Sequence, residues 1–142
     1  MKFLLDTCAV SEFAKPDPDP AVLKWFAQQE ELALYLATVS LGELKRGIEK
    51  LDNGKRKRFL QNWLTENVIK RFADRILPLS SDICLRWGEM QARLEKQGKP
   101  MPVLDGLIAA TALQHHLTII TRNTRDMEAS GVALFSPWRA QK

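Results

Sequence analysis

The 142-residue sequence predicts an α/β fold, a mostly parallel sheet flanked by helices. Three observations predict it. Short apolar or β-branched runs alternate with longer stretches of helical periodicity along the whole chain. The first run, Phe3-Leu4-Leu5, is apolar without alternation, as a strand buried on both faces requires. That run stops at a single carboxylate, Asp6, directly before a helix-compatible segment, and open α/β sheets present their ligands at that kind of junction. One domain spanning residues 1–142 is expected, because the length suffices for one core and no linker, repeat or low-complexity segment interrupts it.

The elements follow in order. Phe3 to Leu5 is a strand and Cys8 to Ala14 a short helix, ended by Lys15-Pro16-Asp17-Pro18-Asp19-Pro20, whose prolines forbid regular structure. Pro20 suits the first position of the next helix and Asp19 its cap, and Val22, Trp25 and Phe26 give that helix an apolar face. Leu32 to Ala37 is a second strand. A helix then carries Leu41, Leu44, Ile48 and Leu51 on one side, before a turn at Asp52-Asn53-Gly54. Lys55 opens a long helix with Phe59, Leu60, Trp63 and Leu64. A third strand falls within Arg75 to Leu79. Ser81 to Gln97 is helical, with Ile83, Trp87, Met90 and Leu94 inward, and Gly98 ends it. After a loop at Lys99 to Pro102, Val103 to His116 is a helix with Leu104, Leu107, Ile108 and Ala112 as its buried stripe. Leu117 to Thr121 and Val132 to Phe135 are the last strands.

Composition excludes little. Twenty-one Lys and Arg against 17 Asp and Glu leave a net charge of +4, which permits a polyanionic partner without demanding one. No run approaches the roughly 18–20 apolar residues of a membrane span, and no leader pattern follows Met1-Lys2. A cytoplasmic protein with Cys8 and Cys84 both reduced is expected. Those cysteines and His115-His116 lack zinc-site spacing, and the His pair suits a helix C-terminus.

Four acids stand out by position. Asp6 closes the first strand, Glu43 lies near the start of the helix after the second, and Asp126 follows the fourth. Parallel strands bring these three to one edge. Asp105 reaches that edge only if the Lys99 to Pro102 loop carries its helix start there, which spacing leaves open. Each acid has an ordinary alternative: Asp6 as a helix cap, Ser40-x-x-Glu43 as a capping box, Asp105 as a helix-dipole partner and Asp126 as a turn residue. Together they would repel unless a cation lay among them, and an oxygen-only set suits Mg²⁺ or Mn²⁺. Such an ion can activate water against a phosphodiester. Thr7, Ser11, Thr121 and Asn123 are placed to orient the acids or the water. Lys45, Arg46, Arg122 and Arg125 are candidates to hold a nucleic-acid phosphate backbone, with Lys50 and the Lys55 to Arg58 run as further basic residues.

The ordered set resembles the PIN-domain family, and within it the VapC/FitB-like toxins of bacterial toxin–antitoxin pairs. The pieces are Phe3 to Thr7, the Pro16 to Pro20 segment, Thr38 to Leu44 with Gly47-Ile48, Asp105-Gly106-Leu107-Ile108-Ala109-Ala110-Thr111-Ala112, and Thr121 to Asp126. The resemblance implies a three-layer α/β/α sandwich around about five mostly parallel strands. It implies Asp6, Glu43 and Asp105 as principal metal ligands and catalytic acids, Asp126 as the more variable fourth, and Thr7 and Asn123 as polar neighbours. It further implies a Mg²⁺- or Mn²⁺-dependent endoribonuclease, a homodimer, and a cognate VapB/FitA-like, DNA-binding antitoxin that blocks the site and builds a higher hetero-oligomer. One position departs: Cys8 stands where the family usually has Asn, and Cys is the poorer hydrogen-bonding residue. A rival from another class is a non-catalytic nucleic-acid-binding module using the Lys55 to Arg58 run. A doubly wound phosphotransfer domain fits worse, since Cys8 occupies the place of the second Asp that a haloacid-dehalogenase-like site requires.

Overall fold

The computed structural model describes residues 1–138. Five strands, β1 (Phe3–Leu5), β2 (Leu34–Ala37), β3 (Ile76–Leu77), β4 (Thr118–Ile120) and β5 (Leu134–Phe135), form one sheet in the order β3-β2-β1-β4-β5, and every pairing is parallel. The central strand β1 sets Phe3 against Leu34 and Thr118, and Leu5 against Ile120. Side chains alternate across a strand, so Phe3 and Leu5 enter one core while Leu4 enters another.

The first core packs against α1 (Thr7–Glu12), α2 (Pro20–Ala27), α3 (Thr38–Glu49) and α4 (Lys55–Trp63), through Val10, Trp25, Leu44 and Trp63 among others. The second packs against α5 (Ser81–Lys96), α6 (Val103–His115) and α7 (Thr124–Met127), through Met90, Leu94, Ile108 and Met127. Two cores on opposite faces of one parallel sheet make the expected three-layer sandwich. Asp19 caps α2 by accepting the Ala21 N–H at 2.8 Å, and Pro20 takes the first helical position. No helix among the described residues is long and apolar enough to cross a membrane.

Several boundaries differ from the expectation. α1 runs from Thr7 to Glu12, because Asp6 already caps it. α3 begins at Thr38 with Ala37 as its cap residue, so Ser40 lies inside the helix and the Ser40–Glu43 capping box does not form. Leu51 lies past the end of α3 and is exposed. α4 ends at Trp63 and runs on as a π-helical turn, Leu64–Ile69, leaving Phe59 exposed. The buried part of α6 is broader than one stripe, taking in Gly106 and every residue from Ile108 to Ala112, since this helix is packed by α5, α3 and the sheet edge. Its C-cap, His116, adopts the left-handed conformation at φ 57°, where Gly is usual and a non-β-branched residue is tolerated.

A groove of about 830 Å³ opens on the first layer, lined by Phe13, Leu23, Phe26, Phe59, Trp63 and Phe72 among others.

Candidate metal centre

All five strands run parallel, so their carboxyl ends share one edge, and the four acids arrive there from four elements. Asp6 is the residue after β1. Its Oδ1 accepts the Thr7 N–H at 2.8 Å, which makes it the cap of α1, and its Oδ2 accepts the Thr121 hydroxyl at 2.7 Å. The cap and the site are therefore one residue using two oxygens. Thr7 spans the next gap: its hydroxyl donates to Glu43 Oε1 at 2.7 Å. Because α3 starts at Thr38, Glu43 sits in its second turn and not its first, clear of the backbone amides that a capping box would have engaged.

Asp105 reaches the edge because the loop before α6 is held. The buried Gln91 side chain donates to the Met101 carbonyl at 3.0 Å and accepts the Met101 N–H at 3.4 Å. Gly106 then lets α6 lie against α5, since a Cβ there would stand 2.8 Å from Trp87 Nε1. Sequence reasoning missed both Gln91 and the reason for Gly106. A Gly directly after a candidate ligand was the available signal for the second, and nothing marked the first.

Electrostatics shows the convergence. The Asp105 carboxyl is pushed up from its ordinary value of 3.8 to about 6, first by burial and then by the negative charges of Asp6, Glu43 and Asp126. The Cys8 thiol is pushed up to about 11 by burial and by Asp6, so it stays protonated at neutral pH. That thiol stands 3.6 Å from Asp6 Oδ2, donating weakly, and accepts the Arg122 N–H at 3.5 Å. It thus contacts both the acid and the backbone that an Asn side chain there could engage, with weaker bonds.

The other candidates divide. Thr121 and Thr7 hold acids directly. Asn123 takes part through its backbone, its N–H donating to Thr121 Oγ1 at 3.0 Å, while its side chain is exposed and makes no hydrogen bond among the described residues. Ser11 does not belong to the site: its hydroxyl donates to the Cys8 carbonyl at 3.3 Å, an ordinary bond within α1. Lys45 does not belong either. Two residues along a helix turn about 200°, so Lys45 leaves Glu43's face, and it pairs with Glu49 at 2.9 Å. Arg46 and Lys50 share Glu43's stripe instead. Arg125 is exposed on α7. In the basic run, Arg56 donates to the Ala14 carbonyl at 2.7 Å and Lys57 to the Glu49 and Leu51 carbonyls, so half of the run serves the fold.

Among the described residues no group of three or more His, Cys, Asp or Glu stands close enough to grip an ion as the side chains lie. The donor chemistry fits a hard divalent cation all the same. The oxygens are carboxylates, and their mutual repulsion already disfavours the charged form of Asp105, a cost a cation would relieve.

Comparison with known proteins adds family evidence. Residues 3–130 match the family model described as PIN domain. The chain is 37% identical over 135 residues to Toxin FitB of Neisseria gonorrhoeae, covering 95% of this chain and 97% of that protein. It is 37% identical, again over 135 residues, to VapC ribonuclease Y4jK of Sinorhizobium fredii, covering 95% and 96%. A solved structure of FitAB bound to a DNA fragment superposes with a TM-score of 0.90 at 34% identity, covering 99% of this chain and 98% of that one.

Proposed function

This chain belongs to the PIN domain family, and from that premise we propose that it is the toxin of a type II toxin–antitoxin pair, a Mg²⁺- or Mn²⁺-dependent endoribonuclease. The observation that carries the reading is the arrival of Asp6, Glu43, Asp105 and Asp126 within electrostatic reach at one sheet edge. The similar protein named a VapC ribonuclease supports the activity, and the one named Toxin FitB the biological class.

Asp6, Glu43 and Asp105 would hold the ion, with Asp126 at the exposed rim. When bound, the cation supplies Lewis acidity toward a bridging phosphate and toward water. The chain's own residues do the rest. Thr7 orients two acids at once, Asp6 through its N–H and Glu43 through its hydroxyl. Thr121 fixes the second Asp6 oxygen. Oε2 of Glu43 and the Asp126 carboxylate accept no hydrogen bond among the described residues, which leaves them free to orient the attacking water. Arg46, Lys50 and Arg125 are exposed cations suited to the phosphate backbone.

The partner we propose is a FitA-like, DNA-binding antitoxin, by the likeness to FitB and to the DNA-bound FitAB complex. The apolar groove beside α1, the helix whose first turn carries Thr7, is the seat we propose for it, and the family resemblance implies a homodimer that the antitoxin joins into a larger complex.

The test is cleavage of RNA by purified protein with Mg²⁺, with and without EDTA, beside Asp6→Asn and Asp105→Asn. Cleavage is expected only for the wild type without chelator. Cleavage surviving both substitutions and chelation would overturn the reading.

A further inference from the structure

Glu12 is 2% exposed and serves none of the chemistry described above. Its Oε1 accepts Lys15 Nζ at 3.0 Å and the Trp138 indole N–H at 3.1 Å, and its Oε2 accepts the Asp19 backbone N–H at 3.1 Å. The Arg122 guanidinium stands 3.7 Å from the same Oε1 and lies over the Trp138 ring, 4.9 Å from its centroid. At its other end Arg122 is tied to the acid site: its N–H donates to Cys8 Sγ, and the preceding residue, Thr121, holds Asp6. One residue thus connects the metal-site edge to an aromatic ring and a buried carboxylate, and 51% of its side chain is still exposed.

The arrangement selects one use among the several an arginine has. Part of the guanidinium's edge and charge is engaged by Glu12, which lessens what is left for a phosphate. Its carbon lies over the indole, 4.9 Å from the ring centroid. Half of the Arg122 side chain is still open to solvent, and guanidinium planes stack on unpaired nucleobases.

We infer that Arg122, braced by Trp138 and Glu12, is a stacking platform for a nucleobase beside the scissile bond and sets the enzyme's base preference there. The inference rests on the ribonuclease reading. Arg122 is the contacting residue, and Trp138 and Glu12 are positioning residues. A larger π-face stacks better, so the preferred base is a purine.

The experiment uses full-length wild type and the variants Arg122→Lys, Trp138→Phe and Glu12→Gln. Steady-state cleavage with Mg²⁺ is measured on oligoribonucleotides that differ only in the bases flanking the cleaved bond. Arg122→Lys keeps the charge and loses the plane. It is expected to raise KM for the purine substrate about tenfold and to flatten the purine-to-pyrimidine ratio. Trp138→Phe and Glu12→Gln are expected to lower that ratio by smaller factors. An unchanged base ratio in Arg122→Lys overturns the inference while cleavage by the wild type upholds the ribonuclease reading. Anisotropy with the same labelled oligonucleotides separates the two the other way: purine-selective binding that Arg122→Lys abolishes, without any cleavage, supports the platform and sinks the nuclease. Wild type that neither binds nor cleaves RNA overturns both. Loss of antitoxin binding in Arg122→Lys, with RNA preference intact, assigns the stack to a protein contact and overturns the inference as well.

Discussion

Asp105 is the residue on which the acid cluster weighs most. Its carboxyl titrates at about 6 in the folded protein against an ordinary 3.8, so between those values the folded state holds a proton the unfolded state has released. Asp105's contribution to the stability of the metal-free protein therefore falls as pH rises through that window and is lowest above it. Asp105→Asn is expected to flatten this slope and to raise the melting temperature of metal-free protein at pH 7.5, while abolishing cleavage. Thermal melts at pH 5 and 7.5 with EDTA, for wild type and variant, check both parts. Glu12 acts with the opposite sign. Burial raises its carboxyl, but bonds from Lys15, the Asp19 amide and Trp138 outweigh that and lower it, so its stabilisation is present above 4.5 and lost below. Asp6, Glu43 and Asp126 were legible from their positions at the ends of predicted elements. Glu12 was not, because an acid in mid-helix looks like any solvated one, and its partner Trp138 lies 126 residues away.

At the scale of the element, the decisive detail is where α3 starts. A beginning at Ser40 would have turned Glu43 back onto the backbone. A beginning at Thr38 places it a turn further in, facing Thr7 of α1. The sequence could not separate these, since Thr38 and Ser40 are both plausible first residues and the Ser-x-x-Glu pattern favours the later one. The Thr7 bridge makes α1 and α3 a single unit of the site. Thr7→Val removes the hydroxyl and keeps the N–H, so Asp6 stays capped while Glu43 is released. Loss of activity by about 10–100-fold is expected, with Thr7→Ser close to wild type, as measured by kcat at saturating Mg²⁺. α6 shows the converse. Its length and apolar content were plain, but Asp105 was placeable only through family resemblance, because Gln91 holds the preceding loop from a neighbouring helix.

For the whole molecule, the three layers came from the family resemblance, while alternation of strands and helices sufficed for an α/β fold with a mostly parallel sheet. The order β3-β2-β1-β4-β5 lay beyond it, since that order is set by pairings between distant segments. The groove was equally hidden: Phe59 read as part of its helix's apolar face, yet it is exposed, as are Phe13 and Leu23 along the same groove. Three such residues along one groove are the surface expected of a bound partner. Phe59→Glu is expected to weaken antitoxin binding at least tenfold in a titration, as loss of an apolar anchor does, without reducing RNA cleavage by the free protein. Equal binding by the variant would move the interface elsewhere.

The central place of β1 also orders events on the ribosome. The first strand made is the one that needs two neighbours, and the second of these, β4, is 115 residues further on by the register that sets Phe3 beside Thr118 and Leu5 beside Ile120. Asp6 meets Thr121 across 115 residues. A nascent chain that stops short of Thr121 holds an unpaired apolar strand edge and an incomplete acid site. The acid site is thus completed only when β4 and the residues after it have joined the strand that was made first.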